Sequence, residues 1–196
     1  MNPNINHKKR FVFIHIPKTA GNSIKQALGL DRSVTLHKRP TKLCSKNIWE
    51  KYFTFTFVRH PIDRLISSYS YHAQETYNGN LNKKIKNLEN LSLNEYFNRM
   101  NRVSHILITP QINHITHKYS NTDIDYIGKF ENINKDFEYI SSHLDINNKL
   151  PYLNKTEHKH INISNNNLER IVKFYEADFV TFDYNMDIDY IKEKYL

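Results

Sequence analysis

The apolar residues near the N-terminus gather into short runs that predict buried β-strands. Phe11–Ile16 is apolar at every position except His15, which suits a strand buried on both faces of a parallel sheet. Phe53–Val58 alternates Phe with β-branched residues, a pattern typical of strands. A shorter run, Asp125–Phe130, predicts a third strand farther along the chain.

Helical patterns lie between and after these strands. Pro61 is suited to the first turn of one helix, because its missing N–H would have no intrahelical partner there. Ser92 and Glu95 form a capping box that begins another helix. A helix over residues 104–116 is expected to break or kink near Pro110. The remaining predicted helices lie at Ile24–Leu28, Ile48–Tyr52, Asn134–Leu144 and Leu168–Tyr175, and from Ile188 onward.

Strands that alternate with helices predict an α/β fold with a mostly parallel, doubly wound sheet flanked by helices. The chain has 196 residues, which suits one domain over residues 1–196 and is too short for two ordinary independent domains. Hydrophobic residues make up 39% of the chain, enough to build a core. The polar residues 1–9 are expected to form a flexible lead.

The charge of the chain favours anionic ligands. The formal net charge is +8 and the pI is near 9.4. Nucleic acid, phosphorylated nucleotides and acidic glycans all fit that charge. A nucleic-acid-binding protein usually has a dense basic stripe or a recognition motif, whereas here only His7–Arg10 and His37–Arg39 form short basic clusters. We therefore expect no nucleic-acid partner.

The sequence also bears on the compartment. Cys44 is the one cysteine, so no intramolecular disulfide calls for an oxidising environment. No run approaches the roughly 18 apolar residues of a membrane span, and the polar residues before Arg10 do not resemble a secretion signal. These features predict a cytoplasmic protein with no integral membrane segment.

Two strand-to-helix junctions carry residues suited to anion binding. In open α/β sheets, ligands bind beyond the C-terminal ends of the strands, where loops lead into helices. The first junction, Pro17–Ser23, is P-loop-like: it places a lysine, hydroxyl groups and Gly21 where a helix dipole and outward N–H groups stabilise a phosphate. Lys18 precedes the only glycine of this loop, so the phosphate loop of kinases and NTPases is absent.

The residues at both junctions resemble motifs of the sulfotransferase superfamily. Phe11–Ser23, FVFIHIPKTAGNS, is similar to the 5'-phosphosulfate loop of the carbohydrate branch, which includes heparan sulfate 2-O-sulfotransferases and bacterial homologues. Phe57–Tyr69, FVRHPIDRLISSY, is similar to the 3'-phosphate motif of the same family. The resemblance extends to Tyr126–Asp136 and to Leu153–Thr156, and so spans most of the chain.

This resemblance implies a donor and a set of donor-binding residues. The donor would be 3'-phosphoadenylyl sulfate, the product 3',5'-adenosine bisphosphate, and the acceptor a hydroxyl of a carbohydrate or another molecule. Lys18 would stabilise the oxygen that leaves with the nucleotide, where charge develops during transfer. Arg59 and Ser67 would bind the 3'-phosphate. The remaining cofactor-binding positions implied by the resemblance are Thr19, Ala20, Gly21, Asn22, Ser23, Lys155 and Thr156.

The acceptor hydroxyl must lose a proton during transfer, and histidine is suited to accept it near neutral pH. Related members of the family carry this base between the two cofactor motifs, and His37 occupies that place. His114 and His117 are three residues apart on a predicted helix, but no carboxylate or cysteine has the sequence spacing of a further metal ligand. We therefore expect no metal site.

Other interpretations stay open at this point. Lys18 also suits a solvated loop charge, Arg59 and Ser67 suit a capping charge and a surface hydroxyl, and His37 suits a structural histidine. The alternative function is a non-catalytic nucleotide- or polyanion-binding protein that retains the cofactor pocket. A small kinase would instead bind ATP with Mg²⁺. The acceptor pocket is expected from residues 31–46 and 69–90.

Overall fold

A computed structural model describes residues 2–34, 36–73, 87–116, 124–151 and 161–196 of the chain. The chain divides into two compact units. The first unit comprises residues 1–59 and 111–154, and the second comprises residues 60–110 and 155–196. The single domain expected from the sequence stays a prediction.

The fold is α/β, with a four-stranded mixed sheet in the first unit. The strands lie in the order β1 (Ile5–Asn6), β2 (Phe11–Ile14), β3 (Phe53–Val58) and β4 (Tyr126–Lys129). β2 pairs with β3 in parallel, Phe13 opposite Phe55, and β3 pairs with β4 in parallel, Phe57 opposite Gly128. The predicted strands therefore form neighbouring parallel strands, although β2 ends at Ile14 rather than Ile16.

The N-terminal residues differ from the expected flexible lead. Ile5 and Asn6 pair antiparallel with β2, so the sheet is mixed, with one antiparallel pairing beside the parallel pairings of β2 with β3 and of β3 with β4. Asn4 is fully buried, and its backbone carbonyl accepts a hydrogen bond from the N–H of Phe13 at 2.8 Å. Polar composition misled the prediction because asparagine side chains here bond to backbone groups inside the unit. A doubly wound arrangement of the sheet stays a prediction.

The described helices agree with most of the helical patterns in the sequence. In chain order they are α1 Gly21–Ala27, α2 Pro40–Leu43, α3 Lys46–Lys51, α4 Pro61–His72, α5 Leu93–Arg102, α6 Ile112–Ile115, α7 Ile133–His143, α8 Asn165–Phe174, α9 Glu176–Thr181 and α10 Ile188–Tyr195. The capping box at Ser92 and Glu95 is present, with both of its reciprocal hydrogen bonds.

The core of the first unit lies between its sheet and two helices. Alternate residues of β2 and β3 point to one face, and their Phe side chains pack against α1 and α7. The members of this core are Phe11, Phe13, Ile24, Ala27, Leu28, Phe55, Phe57, Phe137, Ile140 and Leu144. Because β2 and β3 are buried in this way, the loops that follow them leave the sheet from fixed positions.

The second unit is helical in its described part. Its core joins α4, α5, α8 and α9 with Ile191 of α10, and Tyr96 and Tyr175 are fully buried within it. A stretch of α4 from Ile62 to Ile66 contributes to this core, which fixes the helix that carries Ser67.

The expectation of a helix from residue 104 to 116 is wrong over its first half. Only Ile112–Ile115 is helical, and residues 104–110 are irregular. The buried guanidinium of Arg64 donates to the carbonyls of Leu107 and Thr109, at 3.2 and 2.6 Å. The hydroxyl of Tyr175 donates to the carbonyl of Ile108 at 2.7 Å. These carbonyls bond to side chains of the second unit instead of to N–H groups of the next helical turn.

Within the described ranges, every helix falls short of the length and apolar character that crossing a membrane requires.

Candidate functional site

The loop that follows β2 takes its shape from an unusual backbone. Lys18 and Ala20 adopt the left-handed conformation, with φ of 68° and 62°, although neither is glycine. Such residues cost free energy and occur in turns and functional loops. The hydroxyl of Thr19, fully buried, donates to the carbonyl of Ile16 at 2.9 Å and thereby closes the turn. The Thr19 hydroxyl therefore stabilises the turn of this loop.

The loop leads directly into α1, which begins at Gly21. The amide N–H groups of Gly21, Asn22 and Ser23 belong to the first turn, which has no intrahelical acceptors. No side chain in the described part of the chain caps this end of α1. A left-handed residue followed by helical ones turns successive N–H groups to one side, the geometry of anion-binding loops.

Gly21 is required by a side chain of its own unit. A Cβ placed on Gly21 would lie 1.8 Å from Nε2 of His15, far closer than any contact allows. The His15 ring also stacks on Phe13, with ring centroids 5.5 Å apart. Burial lowers the pKa of His15 well below its usual 6.5, and nearby His37 contributes in the same direction. Gly21 thus accommodates a buried, neutral imidazole beneath the start of α1.

Lys18 and Arg59 come together from two adjacent strand ends. β2 and β3 are parallel neighbours, so the residues after both strands emerge at the same edge of the sheet. The Nη1 group of Arg59 donates to the backbone carbonyl of Lys18 at 3.3 Å. Burial, and after it the positive charge of Arg59, lower the pKa of Lys18 from 10.5 to about 8. The charge of Arg59 thus acts on Lys18, and two neighbouring positive charges favour an anionic ligand.

Arg59 is held by two side chains of the first unit. Gln111 is fully buried, and its Oε1 accepts from the N–H of Arg59 at 2.9 Å while its Nε2 donates to the carbonyl of Arg59 at 2.8 Å. The guanidinium lies 4.1 Å above the ring of Phe130, a cation–π contact. The backbone and the side chain of Arg59 are therefore both positioned, which reduces the entropy that a bound phosphate would remove.

Neither of these supporting residues was predicted as functional. Phe130 lies inside the segment Tyr126–Asp136 that resembles the family, and its place immediately after a strand was the available signal. Gln111 follows Pro110 in a stretch that the pattern assigns to a helix, and nothing in that pattern points to Arg59.

Ser67 lies in α4 of the second unit. It is buried, and its hydroxyl makes no hydrogen bond with the residues that the structure describes. The adjacent Ser68 is also buried, but its hydroxyl donates to the carbonyl of Leu107 at 3.1 Å. The two serines therefore differ: the Ser68 hydroxyl is bonded within its unit, whereas the Ser67 hydroxyl makes no hydrogen bond with the described residues.

His37 lies beside the first loop. Its Nδ1 is 2.9 Å from the backbone carbonyl of His15, and the two imidazole centroids are 4.4 Å apart in an edge-on contact. A carbonyl oxygen can only accept, so Nδ1 carries the proton and Nε2 of the neutral ring keeps its lone pair. The His15 ring also contacts Gly21, so the His15 side chain lies between His37 and the start of α1.

The environment of His37 favours the neutral ring. Burial lowers the pKa of His37 below its usual 6.5, the bond to His15 raises it, and the charge of Lys25 lowers it. The balance is a lowered pKa. At neutral pH, His37 therefore presents an unprotonated Nε2, the form that a general base needs.

His60 follows Arg59 in the chain and belongs to the second unit. Its ring stacks on Tyr195 with centroids 4.2 Å apart and contacts Phe179 and Tyr184 edge-on. Burial lowers the pKa of His60 to about 4. A neutral histidine enclosed by aromatic rings acts as a packing residue at the beginning of α4.

Some predicted positions lie outside the described residues. Lys155 and Thr156 are among them, as is His117. His114 is described, and it is buried in α6. In the residue ranges given above, no group of three or more His, Cys, Asp or Glu side chains is arranged to hold a metal ion.

Comparison with known proteins adds one finding. A profile described as "Sulfotransferase family" matches residues 2–185, which is most of the chain. Neither a curated protein nor a solved structure matches it. The matched range includes both strand-to-helix junctions and therefore Lys18, Arg59 and Ser67.

Proposed function

Because the chain belongs to the sulfotransferase family, we propose that it transfers a sulfuryl group from 3'-phosphoadenylyl sulfate to a hydroxyl of a carbohydrate or glycoconjugate. Family membership supports sulfuryl transfer in general. The identities of the donor and of the acceptor are what we propose. The observation that carries it is the pairing of Lys18 with Arg59 at adjacent strand ends, 3.3 Å apart from guanidinium nitrogen to backbone carbonyl.

The first loop suits the phosphosulfate end of such a donor. Lys18 supplies a charge in the loop that turns into α1, and the first-turn N–H groups of α1 follow it in the chain. During transfer, the acceptor oxygen forms a bond to sulfur while the bond from sulfur to the bridging oxygen breaks. Negative charge then develops on the departing 5'-phosphate, where Lys18 would stabilise it.

The proposed donor carries a second phosphate, at the 3'-position of its ribose. Family resemblance assigns the 3'-phosphate to Arg59 and Ser67. The guanidinium of Arg59 is held over Phe130, and the hydroxyl of Ser67 makes no hydrogen bond with the described residues. A guanidinium and a hydroxyl donor are the groups that recognise a phosphate dianion. This second phosphate would separate the donor from ATP.

His37 would accept the acceptor proton. The bond from Nδ1 to the His15 carbonyl leaves the lone pair on Nε2, and the lowered pKa keeps the ring neutral at pH 7. The proton would therefore pass from the acceptor hydroxyl to Nε2 as the new bond to sulfur forms.

The direct test is sulfation of a panel of glycans, followed by mass analysis after incubation with 3'-phosphoadenylyl sulfate. We expect the wild-type protein to add a sulfuryl group to at least one member, and Lys18→Ala to lose on the order of a hundredfold or more in rate. Lys135→Ala is the matched control, because Lys135 is an exposed lysine on α7. Unchanged turnover in Lys18→Ala would refute the assigned role.

The alternative is a protein that binds the nucleotide without transferring sulfate. It predicts that adenosine 3',5'-bisphosphate binds while no glycan or other hydroxyl acceptor gains mass. A kinase predicts ATP binding with Mg²⁺ and indifference to Arg59→Ala. Binding titrations with both nucleotides, run beside the mass analysis, separate these three functions.

A further inference from the structure

The segment that carries His37 is tied to its unit by buried polar side chains. This segment, residues 31–39, lies between α1 and α2 and has no regular secondary structure in its described part. Irregular segments on their own hold a side chain poorly, because each residue keeps conformational freedom. A base must nevertheless stay within hydrogen-bond reach of the proton that it removes.

Lys25 is the first of these side chains. It lies in the last turn of α1 and is fully buried. Its ammonium donates to the backbone carbonyl of Val34 at 2.8 Å. Burying an ammonium is costly, and an apolar residue would serve the packing of α1 at lower cost. The hydrogen bond that offsets this cost has its acceptor in the segment before His37, not in the helix that carries Lys25.

Asn4 is the second. It precedes β1 and is fully buried, and its Nδ2 donates to the backbone carbonyl of Leu36 at 3.0 Å. The bonded carbonyls belong to Val34 and Leu36, so two buried donors hold the chain immediately before His37. The backbone carbonyl of His15 then accepts from the His37 ring.

Within the described residues, the groups whose charge or hydrogen bond shifts the pKa of His37 belong to the same unit. His15 contacts the ring and accepts its hydrogen bond, and the positive charge of Lys25 lowers the pKa of His37. His114 acts on His15, and Asp31 acts on Lys25 with the opposite sign. Lys25 thus influences His37 twice, through the backbone that it binds and through its charge.

We propose that Lys25 and Asn4 are positioning residues for His37, and that they hold its ring so that Nδ1 bonds to the His15 carbonyl and Nε2 faces the acceptor. The role as a base rests on the proposed function, whereas the position and the tautomer of the His37 ring do not. The two parts can therefore be tested separately.

The test compares Lys25→Met with Lys25→Arg in the full-length protein. Methionine keeps the length and the apolar stem of Lys25 but removes the donor and the charge, whereas arginine keeps both. Lys51→Met is the matched control, because Lys51 is an exposed lysine on α3 of the same unit and lies outside residues 31–46. Asn4→Ala tests the second donor, and thermal unfolding reports whether each variant is folded.

Nitrogen NMR of the imidazole rings, assigned with His37→Asn, measures the pKa and the tautomer of His37 directly. We expect Lys25→Met to raise this pKa, since it removes a nearby positive charge and exposes the ring to water. Lys25→Met and Asn4→Ala should also populate the second tautomer. Lys25→Arg and Lys51→Met should keep the wild-type values.

Sulfation kinetics supply the second readout. Lys25→Met and Asn4→Ala should lower kcat about ten- to a hundredfold with little change in the KM for the donor. Lys25→Arg should restore kcat. A wild-type protein that transfers no sulfate, together with a shifted His37 in Lys25→Met, would overturn the reaction and leave the positioning role intact.

Two outcomes overturn the positioning role. One is an unchanged tautomer and pKa of His37 in folded Lys25→Met and Asn4→Ala. The other is loss of folding in both variants, because these residues would then serve the whole unit rather than the segment before His37.

Discussion

We predict that the pKa of about 8 at Lys18 makes affinity for the proposed nucleotide depend on pH, in a range where the phosphates of the ligand are already ionised. The perturbation is a change from pH 7 to pH 9. The ligand is adenosine 3',5'-bisphosphate, the product of the proposed reaction. Burial and the charge of Arg59 both lower this pKa, and a bound phosphate would raise it again because it supplies the opposite charge.

The sign and size of the effect follow from this linkage. With a pKa of about 8 in the free protein, roughly nine in ten Lys18 side chains are protonated at pH 7 and roughly one in ten at pH 9. Since the pKa in the complex is higher, binding takes up a proton as the pH rises above 8. Affinity is therefore full below that pH and falls above it, by about tenfold between pH 7 and pH 9, or about 1.4 kcal/mol.

Isothermal titration calorimetry at several pH values measures this slope. Lys18→Arg should bind with almost no pH dependence, because a guanidinium stays charged throughout. Lys18→Met should bind weakly at every pH. Lys135→Arg, at an exposed position on α7, should behave like the wild-type protein. Equal slopes for the wild-type protein and Lys18→Arg would show that another group controls the pH dependence and would refute the reasoning.

Two further predictions follow from contacts within the units. Gly21→Ala should lower the free energy of unfolding by about 1–3 kcal/mol, because the new methyl group overlaps the His15 ring. In chemical denaturation, the double variant Gly21→Ala with His15→Ala should lose less unfolding free energy than the sum of the two single variants. Additive losses would contradict the contact. Ser67→Ala should weaken the binding of adenosine 3',5'-bisphosphate by about tenfold with little loss of stability. Ser68→Ala, which loses the hydrogen bond to the Leu107 carbonyl, should mainly lower the melting temperature. The opposite pattern in calorimetry and thermal unfolding would contradict this assignment.

The sequence was sufficient where local patterns and burial coincide. The alternation in Phe53–Val58 became β3 with the predicted bounds, and Ser92 with Glu95 formed the predicted capping box. Both signals depend on residues close together in the chain. The family assignment was confirmed by the match over residues 2–185, and the motifs that suggested it are each one continuous segment of the chain.

Prediction failed where distant side chains decide the backbone. The side chains of Arg64 and Tyr175 donate hydrogen bonds to carbonyls that a helix over residues 104–110 would bond internally. Neither side chain is near that segment in sequence. Asn4 was expected in a flexible lead, yet it is buried through a bond to Leu36.

The unusual backbone of the first loop was not predicted from the sequence. The left-handed residues are Lys18 and Ala20, neither of which is glycine. The glycine instead makes room for the ring of His15, a residue six positions earlier. A single sequence does not reveal which neighbour a missing side chain accommodates.

The contact between position 15 and position 21 also has an evolutionary consequence. Substitution of one residue changes which residues are tolerated at the other, so the two sites should drift as a pair among related chains. A lineage that acquires alanine or serine at position 21 should carry a smaller or differently shaped residue at position 15, and a lineage that keeps histidine at position 15 should keep glycine at position 21.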